Sequence, residues 1–208
     1  REIAAEFNER GDPLGWFEAL YKESGGDTEK IPWADMAPNR FFKAWAESTG
    51  LKGAGRTAIV VGCGLGDDAK YLHDLGFKVT AFDISPTAIE WAKKVYSDED
   101  IRFVTADLFQ PPPEWTREKN PPAHAGGTDL RGEENPHLQN EKNPPAHAGG
   151  SDLGGAFDFV LEIYTIQPLP IAMRPQTIDA VAAFVATGGQ LVVVTRGRED
   201  DEETGDVP

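Results

Sequence analysis

An apolar, β-branched run through Ile59, Val60 and Val61 ends in glycines at alternate positions, Gly62, Gly64 and Gly66, and Asp67 and Asp68 then open a helical pattern. Such a run reads as a buried strand. Glycine is needed where the backbone takes positive φ or where a ligand must come close to the main chain. About twenty residues further on, a second strand over 77–82 ends in Asp83, the spacing at which a carboxylate reaches the hydroxyls of a nucleoside ribose. A third, Ile101 to Thr105, ends near Asp107, and a fourth begins at Phe157 and leaves through Glu162, Ile163 and Tyr164. Strands separated by short helices imply parallel crossover units. Ligands of such sheets bind beyond the carboxyl ends of the strands, where strand order reverses. Gly62, Asp83, Asp107 and Glu162 all fall at carboxyl ends, so they are expected to converge on one crevice.

The register of the glycines bears on which nucleoside. A dinucleotide site wants G-x-G-x-x-G/A, because a third small residue lets the helix pack close under a pyrophosphate. Here the run is G-x-G-x-G, and position 67 holds Asp where that pattern wants Gly or Ala. An acidic pair suits a helix N-terminus but repels a pyrophosphate placed there. The chain therefore resembles the class I S-adenosylmethionine-dependent methyltransferases, whose cofactor carries a ribose and an amino acid but no phosphate. The resemblance runs from about Trp16 to Arg196 and leaves out the segment between Trp115 and Ala156. Within that superfamily, Ile31-Pro32-Trp33 and Asp83-Ile84-Ser85 look most like the thiopurine/thiol/halide methyltransferase group.

The resemblance implies an α/β, Rossmann-like sheet, mostly parallel, with helices on both faces, and S-adenosylmethionine as cofactor. It sets Gly62, Cys63, Gly64 and Gly66 against the methionyl part and Asp83 on the ribose hydroxyls. Ile84 packs on adenine, and Asp107, followed by Leu108, fits the position that accepts the adenine amino group. Trp33 and Glu162 are further candidates for cofactor contact. Trp33 reads equally as core and Glu162 nearly as well as a carboxylate at the sheet rim. Cys63 lies between two glycines, where a small side chain is required.

The expected function is methyl transfer to a small-molecule acceptor, a thiol or other soft nucleophile, by in-line displacement. Should the acceptor have to lose a proton, Glu162 and Tyr164 are the nearest catalytic candidates. Two rivals remain: a non-catalytic module that binds the same cofactor, and a NAD-dependent oxidoreductase, against which Asp67 argues.

With 208 residues the chain is long enough for a real core, and 35 acids against 20 bases give a net charge of −15. No basic patch interleaved with aromatics appears, which disfavours nucleic acid as partner. No apolar run has the length of a membrane span. The single cysteine excludes an internal disulfide and suits a reducing compartment, hence a cytoplasmic protein. The four histidines and one cysteine show no metal-ligand spacing.

Residues 1–56 read as a helical cover. Leu14, Trp16, Phe17, Leu20 and Tyr21 share a helical face broken at Gly25-Gly26, and Pro38 is expected to open a second helix bearing Phe41, Phe42 and Trp45. Residues 57–116 and 154–196 form the cofactor-binding core. Its helices start at Asp67, at Ser85-Pro86 with Ile89, Ala92, Lys93 and Tyr96 on one side, and at Pro175 with Ile178, Val181, Ala182 and Val185, the last ending before Gly188-Gly189. Between them, 117–153 contains a near-exact duplication rich in Pro, Gly and Asn, read as a disordered insertion. Residues 197–208 are an acidic tail. Gly188 to Val194 match the turn and fifth strand of that family, and the resemblance implies two more strands that nothing after Thr195 supplies, so the C-terminal strands are expected to be missing from this chain.

Overall fold

The computed structural model describes residues 2–116 and 155–197. The duplicated insertion and the acidic tail from residue 198 on lie outside the described residues. Two helices, α1 (Glu2–Glu9) and α2 (Gly15–Ser24), precede α3 (Arg40–Thr49). Strand β1 (Thr57–Val61) is followed by α4 (Asp67–Asp74), β2 (Lys78–Asp83), α5 (Pro86–Val95) and β3 (Ile101–Thr105). Then come β4 (Phe157–Ile163), α6 (Arg174–Ala182) and β5 (Val185–Val194).

The strands form one five-stranded sheet in the order β3-β2-β1-β4-β5, every neighbouring pair parallel. Ala58 to Val61 are all buried, as a strand covered on both faces requires. On one face, Phe42 and Ala46 of α3, Leu72 of α4 and Ile89 and Ala92 of α5 pack on Val60, Phe77 and Phe159. On the other, Ile59, Phe82 and Val160 meet Trp115, Val181 of α6 and Phe184. The expected Rossmann-like architecture, with helices on both faces, is the observed one.

Three local expectations need correction. Helix α3 is opened by Asn39, not Pro38: the Asn39 side chain accepts from the Phe41 and Phe42 N–H groups, so the proline precedes the cap. Lys93 is exposed and leaves the buried side of α5 to Ala88, Ile89 and Ala92. Helix α6 stops at Ala182, and Val185 already pairs with Phe157 as the first residue of β5. Gly188-Gly189 is therefore an irregularity inside β5, where the register jumps between Phe157/Val185 and Phe159/Gln190. Gly188 has φ +78°, and a side chain on Gly189 would crowd the Phe157 and Asp158 carbonyls at 3.0 and 3.1 Å. Both glycines are required by the bulge itself. Strand β5 is an edge of the sheet among the described residues.

Candidate functional site

Strand β1 sits between β2 and β4, so the chain winds outward in both directions from it and leaves a crevice at the carboxyl ends of β1 and β4. A cavity of about 520 Å³ opens there, within the ~300–1,000 Å³ common for small-molecule sites. Its base is Val61, Gly62 and Cys63 from the turn after β1, with Phe82, Asp83 and Ile84 from the end of β2. Asp107 and Leu108 line it after β3, and Ile163, Tyr164 and Thr165 after β4.

Asp83 is only 7% exposed. Its Oδ2 accepts the Gly64 N–H and its Oδ1 the Ser85 N–H, both at 2.9 Å. Burial pushes the carboxyl above its ordinary range, and these two donors offset that only in part. A carboxylate has about four acceptor sites, so each oxygen keeps one for a donor in the cavity. The ribose diol expected there fits that pair. Asp107 Oδ1 accepts the Phe109 N–H at 2.8 Å, which fixes the loop that presents Leu108.

The three glycines differ in what they face. Gly62 lines the cavity at φ +59°, and a side chain on it would run into Thr165. Gly64, at φ +52°, is not among the lining residues: a side chain there would meet Tyr21 Oη at 3.0 Å. Gly66, at φ +94°, is also outside the lining, and a side chain there would strike the Phe103 ring at 2.8 Å. Cys63 does line the cavity, and burial, with the Asp83 charge beside it, pushes its thiol well up.

Above the base, Trp16 and Phe17 of α2 and Trp33 form an aromatic wall. Trp16 stacks on Phe17 with centroids 3.9 Å apart and meets Trp33 edge-on at 5.8 Å. The Trp33 indole N–H donates to Tyr21 Oη at 2.8 Å, so that ring is held in place, 38% exposed. The polar side of the cavity is acidic. Asp67 accepts the Tyr96 hydroxyl at 2.6 Å, and Asp68 accepts the Asn39 N–H at 2.7 Å. Burial, helped by the charges of Asp67 and Asp35, pushes the Asp68 carboxyl up to about 6.

The wall after β4 is clamped from several sides. Glu162 is fully buried and does not line the cavity. Its Oε1 accepts the Thr165 and Ile166 N–H groups at 2.6 and 3.0 Å, while Oε2 has no partner among the described residues. Burial pushes this carboxyl up. Tyr164 does line the cavity, at φ +57°, a conformation an aromatic residue rarely takes. Arg174 of α6 donates to the Leu169 and Gln167 carbonyls, and the Gln167 amide pairs with both backbone groups of Arg196.

Of the candidates named from sequence, the cavity thus gathers Trp33, Gly62, Cys63, Asp83, Ile84, Asp107, Leu108 and Tyr164, and leaves Gly64, Gly66 and Glu162 behind it. Asp68, Thr165, Gln167 and Arg196 line it without having been singled out. Only Asp68, next to the glycine run, carried a sequence signal.

A model of the methyltransferase domain matches residues 37–206. The chain belongs to this methyltransferase domain family. Solved structures agree in fold. One, from work on the conversion of a disulfide bond into a thioacetal group during echinomycin biosynthesis, is 20% identical with a TM-score of 0.59 over 86% of this chain and 57% of that one. The domain therefore spans little more than half the length of that neighbour. The magnesium protoporphyrin IX methyltransferase of Synechocystis, with S-adenosylmethionine bound, is 17% identical with a TM-score of 0.51, covering 83% of this chain and 71% of its own. The N-methyltransferase NodS of Bradyrhizobium japonicum, in complex with S-adenosylhomocysteine, is 17% identical with a TM-score of 0.50, covering 85% and 71%. No curated protein matches. No helix among the described residues of this methyltransferase domain is long and apolar enough to cross a membrane.

Proposed function

We propose that the domain transfers a methyl group from S-adenosylmethionine to a small-molecule acceptor, a thiol or other soft nucleophile, by in-line displacement. The observation that carries this reading is Asp83, a buried carboxylate fixed by two backbone N–H groups with acceptor capacity left toward the cavity. When bound, the cofactor would supply a methyl group on a sulfonium, and the neutral thioether left behind needs no proton to depart.

The protein's share is then binding, alignment and exclusion of water. Asp83 takes the ribose hydroxyls, Ile84 and Leu108 enclose the adenine, and Asp107 takes its amino group. Gly62 and Cys63 let the methionyl part lie on the β1 turn. Trp33, Trp16 and Phe17 wall the acceptor side, and Tyr164 faces them from the β4 exit. Holding the reactants in line is worth up to about 7–11 kcal/mol of barrier. A soft acceptor that is already largely deprotonated needs no base, so the carboxylates lining the cavity need take no proton in the step. The thiopurine/thiol/halide-like assignment draws on Ile31-Pro32-Trp33, where Ile31 is buried and Trp33 borders the cavity. Glu162 serves as the brace of the Thr165 wall. Should a phenol or amine be the acceptor, Asp68 is a carboxylate on the cavity wall placed to take its proton, with Tyr164 beside the acceptor as a hydrogen-bonding group. Net charge −15 and an acid-lined cavity disfavour polyphosphates and nucleic acids, and the lone Cys63 suits the cytoplasm.

Release of S-adenosylhomocysteine across a panel of thiols, halides, phenols, amines and carboxylates tests the proposal. Turnover is expected with thiols, and Trp33→Ala is expected to lower it by about tenfold or more while changing cofactor affinity less, because alignment is lost rather than the ribose grip. Methylation confined to phenols or amines would refute the soft-nucleophile acceptor. Tight cofactor binding without turnover on any class would favour a non-catalytic module.

A further inference from the structure

Glu18 lies in α2, beside the aromatic residues that cover the cavity, and its carboxylate is engaged far from its own helix. Oε2 accepts the Ser85 hydroxyl at 2.5 Å and the Thr87 N–H at 3.2 Å. Oε1 accepts the Thr87 hydroxyl at 2.9 Å and pairs with the Lys22 ammonium at 3.1 Å. Its two chief partners are thus 67 and 69 residues away, at the N-terminus of the ten-residue helix α5. An anion there is favoured by the helix dipole as well as by the donors themselves. Burial raises the Glu18 carboxyl, but the Ser85 and Thr87 donors outweigh it and hold the group below its ordinary range.

The contact does not end at α5. Ser85 is fully buried, and its hydroxyl, while donating to Glu18, accepts the Ala88 N–H at 3.0 Å as cap of the helix. The Ser85 N–H donates to Asp83 Oδ1, and Asp83 Oδ2 in turn accepts the Gly64 N–H. The hydrogen bonds run without a gap from Glu18 through Ser85 and Asp83 to Gly64. On the same helix as Glu18, Trp16 and Phe17 wall the cavity and Tyr21 holds the Trp33 indole. We infer that Glu18 is a positioning residue: through Ser85 it couples the seating of the aromatic cover to the orientation of the Asp83 carboxylate. Without Glu18, the buried Ser85 hydroxyl loses its acceptor, and a buried donor left unpaired shifts or draws in water. Asp83 then loses the fixed register between its Ser85 and Gly64 donors.

The inference rests on the proposed cofactor reading for its effect on binding, though not for its effect on the free protein. Glu18→Ala and Glu18→Gln serve as variants, with calorimetric titration of S-adenosylhomocysteine and amide hydrogen exchange of the ligand-free domain as measurements. Glu18→Ala is expected to weaken S-adenosylhomocysteine by about tenfold, the size of one charge-assisted hydrogen bond. It is also expected to raise KM for the cofactor more than it lowers kcat. The Gly64 and Ser85 amides, both donors to Asp83, should exchange faster while those of β1 and β4 do not. Glu18→Gln keeps an oxygen for Ser85 but loses the charge, so it should restore part of both losses. Faster exchange limited to α2, with Gly64 and Ser85 as protected as in the parent, would overturn the coupling, as would unchanged affinity. If the parent domain itself binds no S-adenosylhomocysteine, the cofactor reading fails, and exchange at Gly64 and Ser85 still decides the role of Glu18.

Discussion

Each oxygen of the Asp83 carboxylate carries one backbone N–H, and the two donors come from turns on either side of it. Gly64 is one of them, and it stands at φ +52°, in the left-handed region. Gly64→Val forces a side chain into a left-handed conformation, at a cost of about 1–2 kcal/mol, and pushes on the Tyr21 hydroxyl that anchors Trp33. The variant should keep the sheet, seen by circular dichroism, and lose S-adenosylhomocysteine affinity by titration; normal binding would mean that this glycine serves the turn alone. Asp68 offers a test by pH. Its folded value, about 6, lies above the ordinary 3.8, so the native state holds this proton more tightly than the unfolded chain. The contribution is fully present below about pH 4 and is lost as pH rises through about 6. Asp68→Asn removes it, so melting temperatures of parent and variant should diverge between pH 7 and 5, the parent gaining on acidification. Parallel curves across that window would show that Asp68 titrates normally.

At the scale of elements, caps and clamps decide where walls stand. Asn39 receives two N–H groups of α3, and its own N–H is the donor to Asp68. Asn39→Ala should cost about 1 kcal/mol in urea denaturation, the usual loss of an N-cap side chain; no change would show that the cap bonds are idle. Arg174 holds the loop from Gln167 to Leu169 by two carbonyls, so Arg174→Ala should lower turnover more than cofactor affinity. An equal loss of both would place Arg174 in overall stability instead. Strands β1 to β4 were legible because each is a short, largely apolar run bounded by turn residues, and Ser85-Pro86 marked α5 by its cap chemistry. Where the reading missed, a residue with two meanings was involved. Pro38 suits a helix start but here precedes the Asn39 cap, and Gly188-Gly189 looks like a helix stop but forms a bulge inside a strand.

At the scale of the molecule, the crevice was legible because carboxyl ends of parallel strands must gather at one rim, and Gly62, Asp83 and Asp107 each ended a readable strand. What stayed hidden depends on side-chain direction and on distance along the chain. Glu162 ends a strand like the others, yet its carboxylate turns back to the Thr165 and Ile166 N–H groups and never reaches the cavity. Glu18 meets Ser85 across 67 residues, and nothing near it in sequence announces that partner. The proposed cofactor site centres on Asp83, and calorimetric titration of S-adenosylhomocysteine into the parent domain and Asp83→Ala tests that most directly. The parent should bind one equivalent, and the variant, still folded, should bind more weakly by about 1–3 kcal/mol, the cost of removing one charge-assisted partner. Equal affinity in both proteins, or binding of NAD in place of S-adenosylhomocysteine, would contradict it.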